Sequence, residues 1–227
     1  MLWRRTDTRF WNLSPNADAE ERAPVEGIYL EIFNLARPYL NTRDNDIHTR
    51  IAYSFALKIL EAEGGDERVV KPAILLHDLG WKMVPEELQL KGFGPGKKDL
   101  EITRIHEVKG AEKAREILES VNYDPELTEE IVAIISGHDS RLEPLSLNDA
   151  IVKDSDKLWR FSKEALRVDP KRFRVDPAVH TEWLKRHLDR WFFTQTAKKL
   201  ATQEHSLRAI SLSPAPAENR GGCETDS

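Results

Sequence analysis

Ala73–Lys82 reads AILLHDLGWK, four apolar residues running directly into His77 and Asp78, with Gly80 close behind. An imidazole and a carboxylate delivered by an apolar run sit at the edge of a core. There they are costly by several kcal/mol unless they pair with each other or bind a metal. On a helix, consecutive side chains diverge by about 100°. The two therefore cannot grip one ion as a flat pair, but one can face a metal while the other reaches a second ligand or a second metal. The alternative is a plain helix end with Gly80 at the cap. The surrounding chain decides between them.

Outward from this stretch, apolar residues recur at helical spacing and strand-like alternation is nearly absent. Upstream, Val25, Ile28, Tyr29, Ile32, Phe33 and Ala36 predict a helix over 24–39, closed by Pro38. A second helix is expected from about Asp46 to Glu63, with His48 in its first turn and Gly64-Gly65 ending it. Residues 67–79 form the helix that carries His77 and Asp78. Downstream, residues 84–99 are rich in Gly, Pro and Lys and read as a loop or lid, with one turn at Pro85–Leu88. The period returns over 100–121, where His106 lies beside Ile105 and Gly110-Ala111 offers a small surface for a crossing helix. Asp124-Pro125 predicts an N-cap followed by proline at the first helical position, and that helix delivers His138-Asp139 at its end. Ser146–Asp149, SLND, caps a further helix with Asp154 and Asp156 in its middle. Pro177 to about Gln203 reads as one long aromatic helix.

These seven or so segments predict an all-α, single-domain helical bundle over 22–204, preceded by an arm (1–21) and followed by a disordered tail (205–227). The 227-residue chain suffices for a sizeable core, and its net charge of −5 comes without a basic block. A nucleic-acid polymer is therefore not an expected partner. The single cysteine, Cys223, excludes an intrachain disulfide and thiolate zinc sites. No apolar run is long enough for a membrane span, and the N-terminus has no secretory signal, so a cytoplasmic protein is expected.

The polar residues at helix ends or on apolar faces are His48, His77, Asp78, His106, His138 and one of Asp154 and Asp156. A bundle can point such groups at one interior spot. Nitrogen and carboxylate oxygen without sulfur suit Mn, Fe, Co, Ni, Zn or Mg. His180 and His187, seven apart beside Trp183 and Trp191, read as a packing face. The final helix itself reads as core or as a homodimer surface. Asp139 either orients a ligand histidine or caps a helix end.

His48, His77-Asp78 and Asp156, with HTRIAYSFALKIL, AILLHDLGWK and IVKDSDKLWRF around them, resemble the H…HD…D signature of the HD-domain superfamily of metal-dependent phosphohydrolases. RIHEVKGAEKAREIL and IVAIISGHD are similar to the segments that bring the extra histidines of its binuclear members. The resemblance spans roughly 45–165. It implies a helical bundle in which His48, His77, Asp78 and Asp156 hold one divalent ion, while Asp78 bridges to a second held by His106 and His138. It selects Asp156 over Asp154 through the Lys157-Leu158 that follows, which leaves Asp154 exposed or behind the ligands. The activity implied is hydrolysis of a nucleotide or small phosphomonoester by a metal-activated water. The lysine often found three residues after the HD aspartate is replaced by Trp81, so Lys82, with Lys157 and Arg50, are the expected phosphate contacts. The same ligand series is compatible with a mixed-valence di-iron oxygenase, and a non-catalytic metal-binding module is the third alternative.

Overall fold

Asp66 opens the central helix, its carboxylate accepting the N–H of Arg68, and the ten residues that follow, Glu67–Leu76, form α3. Val69, Val70, Ala73, Ile74, Leu75 and Leu76 are all fully buried. Only Glu67, Arg68 and Lys71 in its first turns reach the surface, so most of the helix belongs inside a core, and other helices pack around it. In this computed structural model, which describes residues 23–93 and 99–212, α3 packs against α1 (Gly27–Leu40), α2 (Asn45–Glu63), α6 (Pro125–Ile135) and α7 (Leu147–Leu158). α5 (Leu100–Ser120) lies against α6 and against the 3-10 turn Leu79–Met83. The remaining helices are α4 (Glu86–Gly92), α8 (Lys163–Phe173), α9 (Pro177–Lys185), α10 (Leu188–Trp191) and α11 (Gln195–Leu212), with a second 3-10 turn at Trp159–Phe161. The fold is all-α and single-domain, with no strand among the described residues.

Expected starts are met by side-chain caps: Asp124 accepts from Glu126 and Leu127 N–H, Ser146 from Asp149, and Asp176 from Ala178 and Val179. Each satisfies backbone donors that a helix leaves orphaned. Gly110 meets Gly80 across the α5 crossing, the small contact its sequence offered.

Several expectations are corrected. α3 stops at Leu76 rather than 79, leaving His77 at the cap position. Helical geometry is lost at Asp78 (φ −101°, ψ 9°), and the chain continues as a 3-10 turn in which Gly80 lies so close to α5 that a Cβ would be 1.8 Å from the His106 carbonyl oxygen. Pro38 does not close α1, which accommodates it and runs to Leu40. Part of the expected loop 84–99 is α4, held by buried Gln89, whose amide donates to Trp81 O (2.9 Å) and Val84 O (3.0 Å); residues 94–98 are outside the described residues. α8 was not anticipated, because KEALRVDPKRF carries few apolar residues and an internal proline.

The long helix expected over 177–203 is three helices. The break has a cause: Asp154, fully buried, accepts from Phe193 N, Thr194 N and Thr194 Oγ1, and so starts α11 anew. Asp154 is thus neither exposed nor behind the ligands; it ties α7 to α11. α11 also runs on to Leu212, through residues 205–212 that were expected to belong to the tail. The arm over 1–21 and residues 213–227 lie outside the described residues. His180 and His187 do join a packing face, stacked on or tilted against Trp183 and Trp191. No helix among the described residues is long and apolar enough to cross a membrane.

Candidate metal centre

Two helices end in the same way. At the end of α3, His77 Nδ1 lies 2.8 Å from Ile74 O; just beyond the end of α6, His138 Nδ1 lies 2.8 Å from Ile135 O. In each case the ring N–H donates to a carbonyl of the helix's last turn. That fixes the tautomer and turns Nε2, with its lone pair, toward the interior. His48, in the first turn of α2, His106, in α5, and Asp156, in α7, complete the ring of elements around Asp78.

The resulting distances are short. His48 Nε2 is 3.0 Å from His77 Nε2, 3.2 Å from Asp156 Oδ1 and 3.5 Å from Asp78 Oδ2. His77 Nε2 is 3.5 Å from Asp156 Oδ1 and 3.7 Å from Asp78 Oδ1, which in turn lies 3.8 Å from His138 Nε2. His106 Nε2 is 3.4 Å from Asp139 Oδ2. Three overlapping groups have donor atoms mutually close enough to hold an ion: His48, His77 and Asp156; His77, Asp78 and His138; His106, His138 and Asp139. All six residues expected as ligands are therefore brought together, and Asp139 joins them.

The donor set fits a divalent cation. With the His77 ring proton on Nδ1, its Nε2 lone pair faces His48 Nε2 at 3.0 Å, a contact relieved only by a proton or a metal between them. Among the described residues, His138 Nε2 and His106 Nδ1 are buried without a hydrogen-bond partner. Burial alone would raise Asp78 and Asp156, yet the surrounding histidines hold both well below the usual carboxylate range. Burial would likewise lower His138, but Asp78 and Asp139 outweigh it and push the ring up to about 9; His77 is raised in the same way by Asp78 and Asp156. His106 is lowered by burial and by His138. Protons here substitute for the positive charge that cations would supply.

A shell of side chains not anticipated as site residues holds this cluster. Trp81, at the position where a lysine is often found, donates its indole N–H to Asp78 Oδ1 at 3.0 Å and stacks on the His106 ring at 4.0 Å. Trp159 packs its edge against His48. Glu107, fully buried, accepts from Asp139 N, Ser140 N and Ser140 Oγ and fixes the turn after His138. Lys153, also buried, donates to the carbonyls of Gly137, His138 and Arg141. Its only signal in the sequence is its place beside Val152 and Asp154 on α7.

The cations differ from expectation. Lys82 is exposed and lines a separate depression with Thr42 and Glu86, because the 3-10 turn points it away from Asp78. Lys157 lies over the Phe193 ring, 5.2 Å from its centroid. Neither lysine, nor Arg50, lines the cavity of about 30 Å³ above the cluster; Arg43, Arg160 and Arg172 do, with Phe93, Trp81 and Trp159. A wider groove of about 380 Å³ between α2, α8 and α11 gathers no comparable set of ligands.

The HD domain family model matches residues 45–160. A crystal structure described as that of a predicted HD superfamily hydrolase from an uncultured Thermotogales bacterium shares the fold, with TM-score 0.54 and 24% identity over 80% of this chain and 87% of that one. No curated protein matches.

Proposed function

The chain belongs to the HD-domain family, and from that premise we propose that it is a metal-dependent phosphohydrolase that cleaves a nucleotide or small phosphomonoester. In this reading His48, His77, Asp78 and Asp156 hold one divalent ion and Asp78, His106 and His138 a second, drawn from Fe, Mn, Co, Ni, Zn or Mg. The observation that carries it is the position of Asp78, whose two oxygens face different histidines: Oδ2 toward His48, Oδ1 toward His77 and His138. A carboxylate can span two ions in a way a single imidazole nitrogen cannot.

Ions held there would supply an acidified water and stabilise the attacking and leaving oxygens of phosphoryl transfer. The residues of the chain prepare that chemistry. The Ile74 and Ile135 carbonyls keep His77 and His138 in the tautomer that presents Nε2, and the Trp81 indole keeps Asp78 turned inward. Trp81, Phe93 and Trp159 line the cavity together with Arg43, Arg160 and Arg172, and its volume of about 30 Å³ leaves room for little water.

The test is phosphate release by the full chain loaded with Mn, Co, Ni or Fe, against a panel of nucleotides and phosphomonoesters. Release with at least one metal, reduced by at least about a thousandfold in Asp78→Asn, is expected. No release with any metal contradicts the reading. Oxygen uptake by the iron-loaded chain without phosphate release would turn the assignment to the oxygenase alternative.

A further inference from the structure

We propose that Arg43 is the anchor for the substrate's phosphoryl oxygens and that the site selects a terminal phosphomonoester over a phosphodiester. This rests on the phosphohydrolase reading and names its substrate class.

Three arginines line the cavity above the metal cluster, and they are not equivalent. Arg172 donates to Asp169 Oδ1 at 3.2 Å and to Arg43 O at 2.6 Å, and approaches Asp44 at 3.5 Å. Arg160 turns to Asp169 Oδ2 at 3.6 Å. Both serve to hold the wall. Arg43 uses Nη2 on Asn45 Oδ1 at 3.2 Å, but its Nε and Nη1 are enclosed with no partner among the described residues. Leaving charged donors buried and unmet costs more than leaving neutral ones, so such an arrangement persists where a ligand supplies the acceptors.

The rest of the local structure aims this guanidinium. Its Cζ lies 3.9 Å from the Phe93 centroid and 4.3 Å from that of Trp81, the ring that holds Asp78. This sandwich fixes the plane of the fork. Arg43 and Asp44 both adopt left-handed backbone, φ 54° and 56°, which non-glycine residues rarely do and which two successive residues hold only when the surroundings enforce it. The Arg172 bond to Arg43 O is that enforcement. The strain turns an arginine inward at a point where the neighbouring Asn41 and Asp44 face solvent.

The class of substrate follows from counting oxygens. Nη2 carries two N–H groups and Asn45 takes one, so Nε–H and the second Nη2 N–H form the fork that takes two acceptors, and a metal site below takes at least one more. A phosphomonoester has three terminal oxygens to share out; a phosphodiester has two.

The test uses two probes on the metal-loaded full chain, inorganic phosphate and dimethyl phosphate, with binding read by calorimetry for the native protein, Arg43→Lys and Arg43→Gln. Metal content and melting temperature are measured alongside. Native protein is expected to bind phosphate at least about tenfold more tightly than dimethyl phosphate, and Arg43→Gln to lose at least about tenfold in phosphate affinity with metal content unchanged. Arg43→Lys, which keeps the charge and loses the fork, should fall between them and serves if the glutamine variant does not fold. Phosphate affinity within about twofold of native in both variants, or equal affinity for the two probes, overturns the proposal. The two readings separate cleanly. Arg43-dependent phosphate binding without turnover of any ester leaves the anchor standing and removes the hydrolase; turnover and phosphate affinity indifferent to Arg43 do the reverse.

Discussion

Asp78 carries more of the account than any other side chain. It is buried, it is approached by three histidines and the Trp81 indole, and it lies between the two halves of the cluster. Asp78→Ala is therefore expected to lose both ions by elemental analysis, whereas His106→Ala keeps the first and mainly loses the second. Equal loss in both variants would argue against a bridging carboxylate. A second residue makes a prediction far from the cluster. His180 is enclosed, accepts from Arg208 Nη2 at 2.8 Å, and is held down to about 4 by burial and by that guanidinium. An unfolded histidine titrates near 6.5. Between the two values the unfolded chain takes up a proton that the folded chain refuses, so stability is full above about pH 6.5 and is lost as pH falls toward 4, by up to roughly 3 kcal/mol. Urea midpoints at pH 7 and pH 5 should therefore fall less for His180→Asn than for the native chain; an identical drop contradicts this origin. At this scale the residues that meet in the cluster were legible, because His and Asp at the ends of apolar runs have few other reasons to be there. Arg43 was not: its role depends on two left-handed φ angles inside NTRDND, a stretch that reads from sequence only as a supply of caps.

Elements place those residues, chiefly through helix ends. The C-termini of α3 and α6 converge on the cluster, each with a histidine tied to the carbonyl three residues back. Helix C-termini carry partial negative charge, which favours a cation in front of them. The crossing of α5 over the 3-10 turn brings His106 into the same place and needs Gly80 bare. Gly80→Ala puts a methyl group 1.8 Å from a backbone carbonyl that cannot move without moving α5; a loss of at least about 3 kcal/mol in denaturant unfolding is expected. Destabilisation under about 1 kcal/mol would show that the crossing is looser than described. Glu107 holds the Asp139-Ser140 turn beside the cluster. Glu107→Gln replaces one acceptor oxygen by a donor amide, so it should lower stability by about 2–3 kcal/mol and weaken the second ion by about 10–100-fold. Titration of the second ion with native affinity would remove that positioning role. Strongly periodic helices were legible with their caps, since Asp-Pro and Ser-x-x-Asp satisfy known orphan donors. The break before α11 was not, because it is made by Asp154, 39 and 40 residues away in sequence from Phe193 and Thr194; nor was α8, whose apolar period is masked by charge and Pro170.

Across the whole molecule, the central position of α3 joins stability to the candidate site: the helix whose last turns are wholly buried leads directly into His77 and Asp78. Ions that bind the folded chain and not the unfolded one stabilise it by mass action, about 2.7 kcal/mol at a hundredfold excess over Kd. Chelation is thus expected to lower the melting temperature by about 5–10 °C in a chain of this size. The overall architecture was legible from period and composition, and the family from the order of its histidines and aspartates. The direction of the cations was not, because whether Lys82 faces the cavity or solvent is set by the register of one 3-10 turn. The central claim, that side chains from five helical segments share one interior site for divalent ions, is tested most directly by anomalous scattering from crystals of the protein purified with its metal. The account predicts two peaks, one among His48, His77, Asp78 and Asp156 and one among Asp78, His106 and His138; no peak in this cluster, with ions bound elsewhere or not at all, would contradict it.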